Sequence, residues 1–117
     1  MKEPLESFLP LSPASLHILL ALAGGELHGY GIMLEAARQS QGQYKLGPGT
    51  LYDNLRKLMA QNIVEEGRKA GSADDPRRRY YRLTGLGRRV LVADVSRLEG
   101  MLREARGLLQ APRLRRA

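Results

Sequence analysis

The side chains best placed to recognise another molecule lie between residues 48 and 62. At about 100° per residue, Leu51, Leu55, Leu58 and Met59 fall on one arc of a helix, and Thr50, Asp53, Arg56 and Lys57 fall on the opposite arc with Asn54 and Gln61 beside it. If the apolar arc is pinned against a core, the polar arc presents a hydroxyl, a carboxylate, an amide and two cations to the outside. Those groups suit the edges and phosphates of a nucleic acid: Thr50, Asp53 and Asn54 for base edges, Lys57 for backbone. Tyr52 sits on the margin of the apolar arc, where its ring can pack while its hydroxyl reaches a phosphate. Farther along, Arg77, Arg78 and Arg79 stand in one run before a short aromatic stretch, a second source of phosphate donors. Taken alone, the polar arc also fits a solvated helix surface, and the arginine run a solubilising loop.

Other chemistries find little support. The chain has no cysteine, which excludes disulfides, thiolate zinc sites and thiol nucleophiles. Its two histidines, His17 and His28, read as packing or capping residues, so no metal or cofactor is expected. Gly47-Pro48-Gly49-Thr50 lacks the lysine and the spacing of a nucleotide-binding loop. No nucleophile, base and orienting group occur together, so an enzyme is not expected.

The 117 residues, with 43% apolar and 26% charged side chains, suffice for one small core. The net charge of +7 is unevenly placed. Residues 1–62 hold five basic and five acidic side chains, whereas residues 63–117 hold fourteen and seven. Arginine outnumbers lysine fifteen to four. A basic block confined to one half is the electrostatic footprint of a nucleic-acid partner. The longest apolar run near the N-terminus, Ile18 to Ala23, is six residues. That is far short of the roughly 20 needed to span a bilayer, so a cytoplasmic protein without a membrane partner is expected.

The elements that must position these groups are legible from periodicity and punctuation. Residues 1–11, with Pro4 and Pro10, are expected to form a flexible arm. Ser12-Pro13 reads as an N-cap with proline at the first helical position, opening a helix with Leu16, Leu19, Leu20 and Ala23 inward, flanked by Ile18 and Leu22, and closed by Gly24-Gly25. A second helix from about His28 carries Tyr30, Met33, Leu34 and Ala37 on one face, with Ile32 off that stripe, and closes at Gln41-Gly42. Tyr44 and Leu46 are expected to anchor the next connector. The third helix, opened by Pro48, stops near Asn62. Residues 63–68 and 79–83 read as a hairpin with a long polar tip over 71–76, Tyr81 and Leu83 on one face and Tyr80 and Arg82 on the other. Thr84 caps a last helix in which Leu91, Val95, Leu98, Leu102, Ala105 and Leu109 repeat at 4-3 spacing, the seam of a partner helix or a stripe packed on the same chain. Residues 111–117 read as a disordered basic tail.

Helix, helix, helix, hairpin, helix is the order of a winged helix-turn-helix: a mainly α fold with a small β-hairpin, spanning 12–84, followed by a long C-terminal dimerisation helix over 85–110. In this order the stretches LHGYGIMLE (27–35), GPGTLYDNLRKLMAQNIVEEG (47–67) and RRRYYRLTGLGRRVL (77–91) resemble the PadR family of bacterial transcriptional regulators over about residues 11–109. The resemblance implies a homodimer joined through the last helix, a palindromic operator in double-stranded DNA, usually repression, and often a small-molecule effector. It also implies that Gly49, Thr50 and Tyr52 begin the recognition helix, with Tyr52 on DNA backbone. A bacterial cytoplasmic protein, associated with the nucleoid when bound to DNA, follows from the same likeness. Gly47 stands where many relatives have serine, and Asp53 where many have a neutral residue. A winged-helix adaptor that binds protein rather than DNA is the alternative, favoured by Asp53, Asp74 and Asp75 on the face in question.

Overall fold

The computed structural model describes residues 4–67 and 78–110. Arg77, the hairpin tip over 71–76 and the tail over 111–117 lie outside the described residues.

Three helices build the scaffold. Helix α1 (Pro13–Leu22) opens at Ser12, whose Oγ accepts the Ser15 amide at 3.1 Å, with proline in the first turn. Its inward side differs from the expected stripe: Ile18, Leu19, Ala21 and Leu22 are buried, while Leu16 and Leu20 are half-buried. The helix is apolar nearly all round because each of the three helices that follow it covers part of it. Helix α2 (Gly29–Gln39) is capped by His28, whose Nδ1 accepts the Gly31 amide at 3.0 Å. Its fully buried residues are Gly29, Ile32 and Ala36; of the expected stripe, Met33 packs half-buried on the core and Ala37 is half-buried, whereas Tyr30 and Leu34 are exposed. Ile32 fills the contact between the small Gly29 and Ala36, and Tyr30 and Leu34 point to solvent.

Helix α3 (Pro48–Ala60) follows the expected pattern, with Leu51, Leu55 and Leu58 buried and Met59 packed beside them. Both α2 and α3 end in the same way. A non-glycine residue turns left-handed, Gln41 at φ 54° and Asn62 at φ 62°. The next amide then reaches back to a carbonyl in the last turn: Gly42 to Ala37 at 2.7 Å, and Ile63 to Leu58 at 2.9 Å. Tyr44 and Leu46 anchor the connector as expected, Leu46 in the core and Tyr44 stacked on His17 at 4.0 Å between ring centres.

The sheet has three strands rather than the two of a hairpin. Strand β3 (Tyr80–Leu83) lies between β2 (Val64–Glu66) and a two-residue strand, β1 (Leu27–His28), and both pairings are antiparallel. Because β3 is central, the expected alternation breaks: Tyr80 and Tyr81 are both buried. Tyr81 joins the main core, and Tyr80 meets the edge of His28 at 5.3 Å on the other side.

Helix α4 (Gly85–Gln110) starts at a junction made by Thr84. The Thr84 hydroxyl accepts the Gly87 amide at 2.9 Å and donates to the Asn62 carbonyl at 2.6 Å, tying the helix start to the end of α3. A Cβ on Gly87 would overlap the Ile63 carbonyl oxygen, so the first turn of α4 and the start of β2 approach as only glycine permits. The segment expected as a flexible arm is ordered from Pro4: Leu5–Phe8 form a 3₁₀ turn against α4, and Phe8 and Leu11 pack on the core. Their apolar side chains outweigh the proline punctuation.

Candidate nucleic-acid interface

The pinning of Leu51, Leu55 and Leu58 decides what α3 shows to solvent. Gly49, Thr50, Tyr52, Asp53, Arg56 and Lys57 are exposed. A Cβ on Gly49 would meet nothing within 4 Å, so position 49 opens to solvent. Thr50, Asp53, Arg56 and Lys57 thus form an exposed arc opposite the buried leucines, as a helix entering a groove about 12 Å wide requires.

Asn54 does not belong with that set. Its Oδ1 accepts the Ser15 hydroxyl at 3.2 Å and its Nδ2 donates to the Thr50 carbonyl at 2.8 Å. Both ends of the amide are engaged with the chain itself, so the expected base contact from Asn54 is corrected to a tie between α3 and α1. Asp53 forms an ion pair with Arg56 one turn on. The carboxylate that would repel phosphate carries its own counter-ion, and Arg56 is correspondingly less available as an independent contact.

Tyr52 is 42% exposed and leans towards the first turn of α2. A Cβ on Gly29 would overlap its hydroxyl oxygen and lie 3.0 Å from Cζ. The Tyr52 hydroxyl thus occupies the space that a side chain at position 29 would fill. Beside it opens a cleft of about 420 Å³, walled by the start of α2, Tyr52, Tyr81 and the two described arginines of the run, Arg78 and Arg79. Burial pushes the Tyr81 hydroxyl above the ordinary tyrosine range.

The basic strand is more self-compensated than its composition suggests. Arg82 donates through Nε to Glu65 at 2.8 Å and through Nη1 to Glu26 at 3.2 Å. The Glu65 hydrogen bond foremost holds the Arg82 guanidinium above the usual arginine range. Arg79 approaches Glu66 at 3.5 Å. Among the described arginines of the run, Arg78 and Arg79 stay exposed at the base of the wing.

The seam on α4 divides in two. Leu91 is buried and Val95 packs against the same core, so the expectation that Leu91 serves a partner is corrected: it holds α4 onto its own domain. Leu98 is half-buried. From residue 101 to 110 every side chain is exposed, including Leu102, Ala105 and Leu109, the last at 84%. Met101 and Leu108, outside the 4-3 repeat, widen this bare stripe. Asp94, which sequence reasoning missed, is fully buried on α4 with one oxygen 2.7 Å from Arg97 Nε and the other without a partner. Its place one residue before Val95 carries no periodic signal that could have marked it. Among the described residues no group of three His, Cys, Asp or Glu could hold a metal, and no helix is long and apolar enough to cross a membrane.

A family model described as the transcriptional regulator PadR-like family matches residues 18–93. A transcriptional regulator of Mycobacterium tuberculosis, Rv3488, is 37% identical over 92 residues, which are 79% of this chain and 81% of that protein. A 37.1 kDa protein in transposon TN4556 of Streptomyces fradiae is also 37% identical over 79% of this chain, which spans only 26% of that relative. In fold, the chain is similar to a PadR family transcription regulator of Clostridium difficile R20291, with a TM-score of 0.70 and 22% identity over 84% of this chain and 99% of the other. Bacillus subtilis PadR, solved in complex with operator DNA, gives a TM-score of 0.61 and 24% identity over 72% of this chain and 47% of that one.

Proposed function

The chain belongs to the PadR-like family of transcriptional regulators, and from that premise we propose that it binds double-stranded DNA sequence-specifically as a homodimer, repressing transcription at a palindromic operator. The family is one of regulators rather than enzymes. The observation that carries the reading is the exposed polar arc of α3, held outward by the buried Leu51, Leu55 and Leu58 beside the base of the wing. In this reading Thr50 and Asp53 face base edges; Tyr52, Lys57, Arg78 and Arg79 position the backbone; Arg56 contributes through its pair with Asp53; and Gly49 allows close approach. Arg77 extends the basic run towards the wing tip. The bare stripe of Leu102, Ala105 and Leu109, with Met101 and Leu108 and with the half-buried Leu98 at its start, supports dimerisation. A terminal helical segment of that length is marginal in water until its apolar side is covered. Two copies would set recognition helices about 34 Å apart, one helical turn of DNA. Bound to its operator, the protein belongs to the bacterial nucleoid in the cytoplasm.

The reading includes release by a small-molecule effector that binds the dimer better in an arrangement unfit for DNA, a population shift to which no residues are assigned. Of the three acids that favour the protein-adaptor alternative, Asp53 pairs with Arg56, and Asp74 and Asp75 lie outside the described residues.

Selection of bound duplexes from a random pool tests the proposal. An inverted repeat is the expected product, and a pool that stays random, or no binding at moderate salt, would overturn it.

A further inference from the structure

Asp53 is the one acid in α3, and the helix sets it at the crest of the exposed arc. At about 100° per residue, it leaves the axis within roughly 15° of the direction opposite Leu51, Leu55 and Leu58, with Arg56 and Lys57 about 50° to either side. A residue at that place goes deepest into any groove the helix enters. The side chain is 65% exposed, and its pair with Arg56 engages Oδ1. Among the described residues nothing bonds Oδ2, so a free acceptor stands at the leading edge of the helix, in a chain of net charge +7. Resting on the DNA-binding reading above, we propose that the Asp53–Arg56 pair reads one C·G base pair in each half-site, Asp53 accepting from the cytosine N4 amino group and Arg56 donating to the guanine of the same pair.

A carboxylate at the crest sorts bases by the donors they show. In the major groove guanine presents N7 and O6, and thymine presents O4, all acceptors that repel it. Adenine presents its N6 amino group beside N7, so one carboxylate oxygen gains a bond while the other faces a lone pair. Cytosine presents the N4 amino group with no acceptor beside it on the same base. Across the pair, guanine sets O6 and N7 next to that amino group. Arg56 uses one donor of its guanidinium fork on Asp53 and has the others to give. Either residue alone has the wrong sign for half of the base pair. Held together by their ion pair, they match its donor and its acceptors at once.

Duplex selection repeated with variants tests this, and both side chains are exposed, so their replacement should leave the fold intact. Wild-type half-sites should share a C·G pair at one fixed position, and changing it to any other pair should weaken binding about tenfold. Asp53→Asn should change that position alone from cytosine to adenine, because an amide meets both N6 and N7. Asp53→Ala and Arg56→Ala should each flatten the preference there and nowhere else, and the double variant should flatten it no further. N4-methylcytosine at that position keeps its pairing with guanine but carries a methyl where the groove-side N–H was. It should weaken wild-type binding about tenfold and leave Asp53→Ala unaffected. If Asp53→Ala and Arg56→Ala select the wild-type half-site, the pair reads no base, and the proposal fails while the DNA reading stands. A wild-type preference for an A·T pair at the position that Asp53→Ala flattens would overturn it equally. If the wild type recovers no inverted repeat, both readings fall.

Discussion

A polar side chain on an exposed helix can turn its hydrogen-bonding groups to the chain or away from it, and neighbouring residues on α3 choose differently. Asn54 is turned to Ser15 and to its own helix, whereas Lys57 is free. Asn54→Ala should therefore lower stability by about 1 kcal/mol in urea unfolding and leave the selected DNA sequence unchanged. Lys57→Ala should leave stability unchanged, weaken binding to all duplexes alike, and reduce the salt-dependence slope by about 1. Tyr81 makes a residue-level statement about pH. Its folded value lies above the ordinary value of about 10, chiefly through burial, so its contribution is complete below that pH and is lost as pH rises through the folded value. Thermal melts should show stability falling above about pH 10, and Tyr81→Phe should flatten that fall. The residue types announced which face of α3 stays exposed. Only the fate of each amide and carboxylate was hidden, because Ser15 lies 39 positions from Asn54.

Elements reveal themselves when their signals are local. The Ser12-Pro13 cap, the Thr84 cap and the left-handed Gln41 and Asn62 are each satisfied within a turn or two of chain, so each stands in the sequence much as in the fold. Helix faces were less legible. In α2 Tyr30 and Leu34 are exposed while Ile32 is buried between Gly29 and Ala36, a choice set by the packing of α2 on α1 and α3. Strand β1 has only two residues, too few to show a period, yet it converts β3 into a central strand and buries Tyr80. The junction of β2 with α4 gives an element-level prediction. Gly87→Ala places a methyl on the rigid Ile63 carbonyl and should destabilise the fold by about 1–3 kcal/mol, seen as a lower urea midpoint with unchanged slope.

At the scale of the whole molecule, one helix performs two tasks. The first part of α4 completes the domain core through Val90 and Leu91, and its last ten residues stand free with an apolar stripe. Leu91→Ala should cost about 2–5 kcal/mol of stability, as for any large side chain cut from a core. Leu102→Glu should leave the domain folded by near-ultraviolet and unfolding criteria, yet sediment as a monomer and bind the selected operator far more weakly. A Leu102→Glu protein that sedimented as a dimer would place the interface elsewhere.

Periodicity, caps and charge asymmetry determined the element order, the exposed polar arc of α3 and the arginine run before β3, because each arises between residues within a few positions of one another. The tertiary structure alone decided which polar groups on α3 are free, where the α4 seam leaves the core, and that Tyr52, Gly29 and the wing arginines share one cleft. Those outcomes depend on contacts between residues tens of positions apart, and side-chain type does not record which distant neighbour will come within reach.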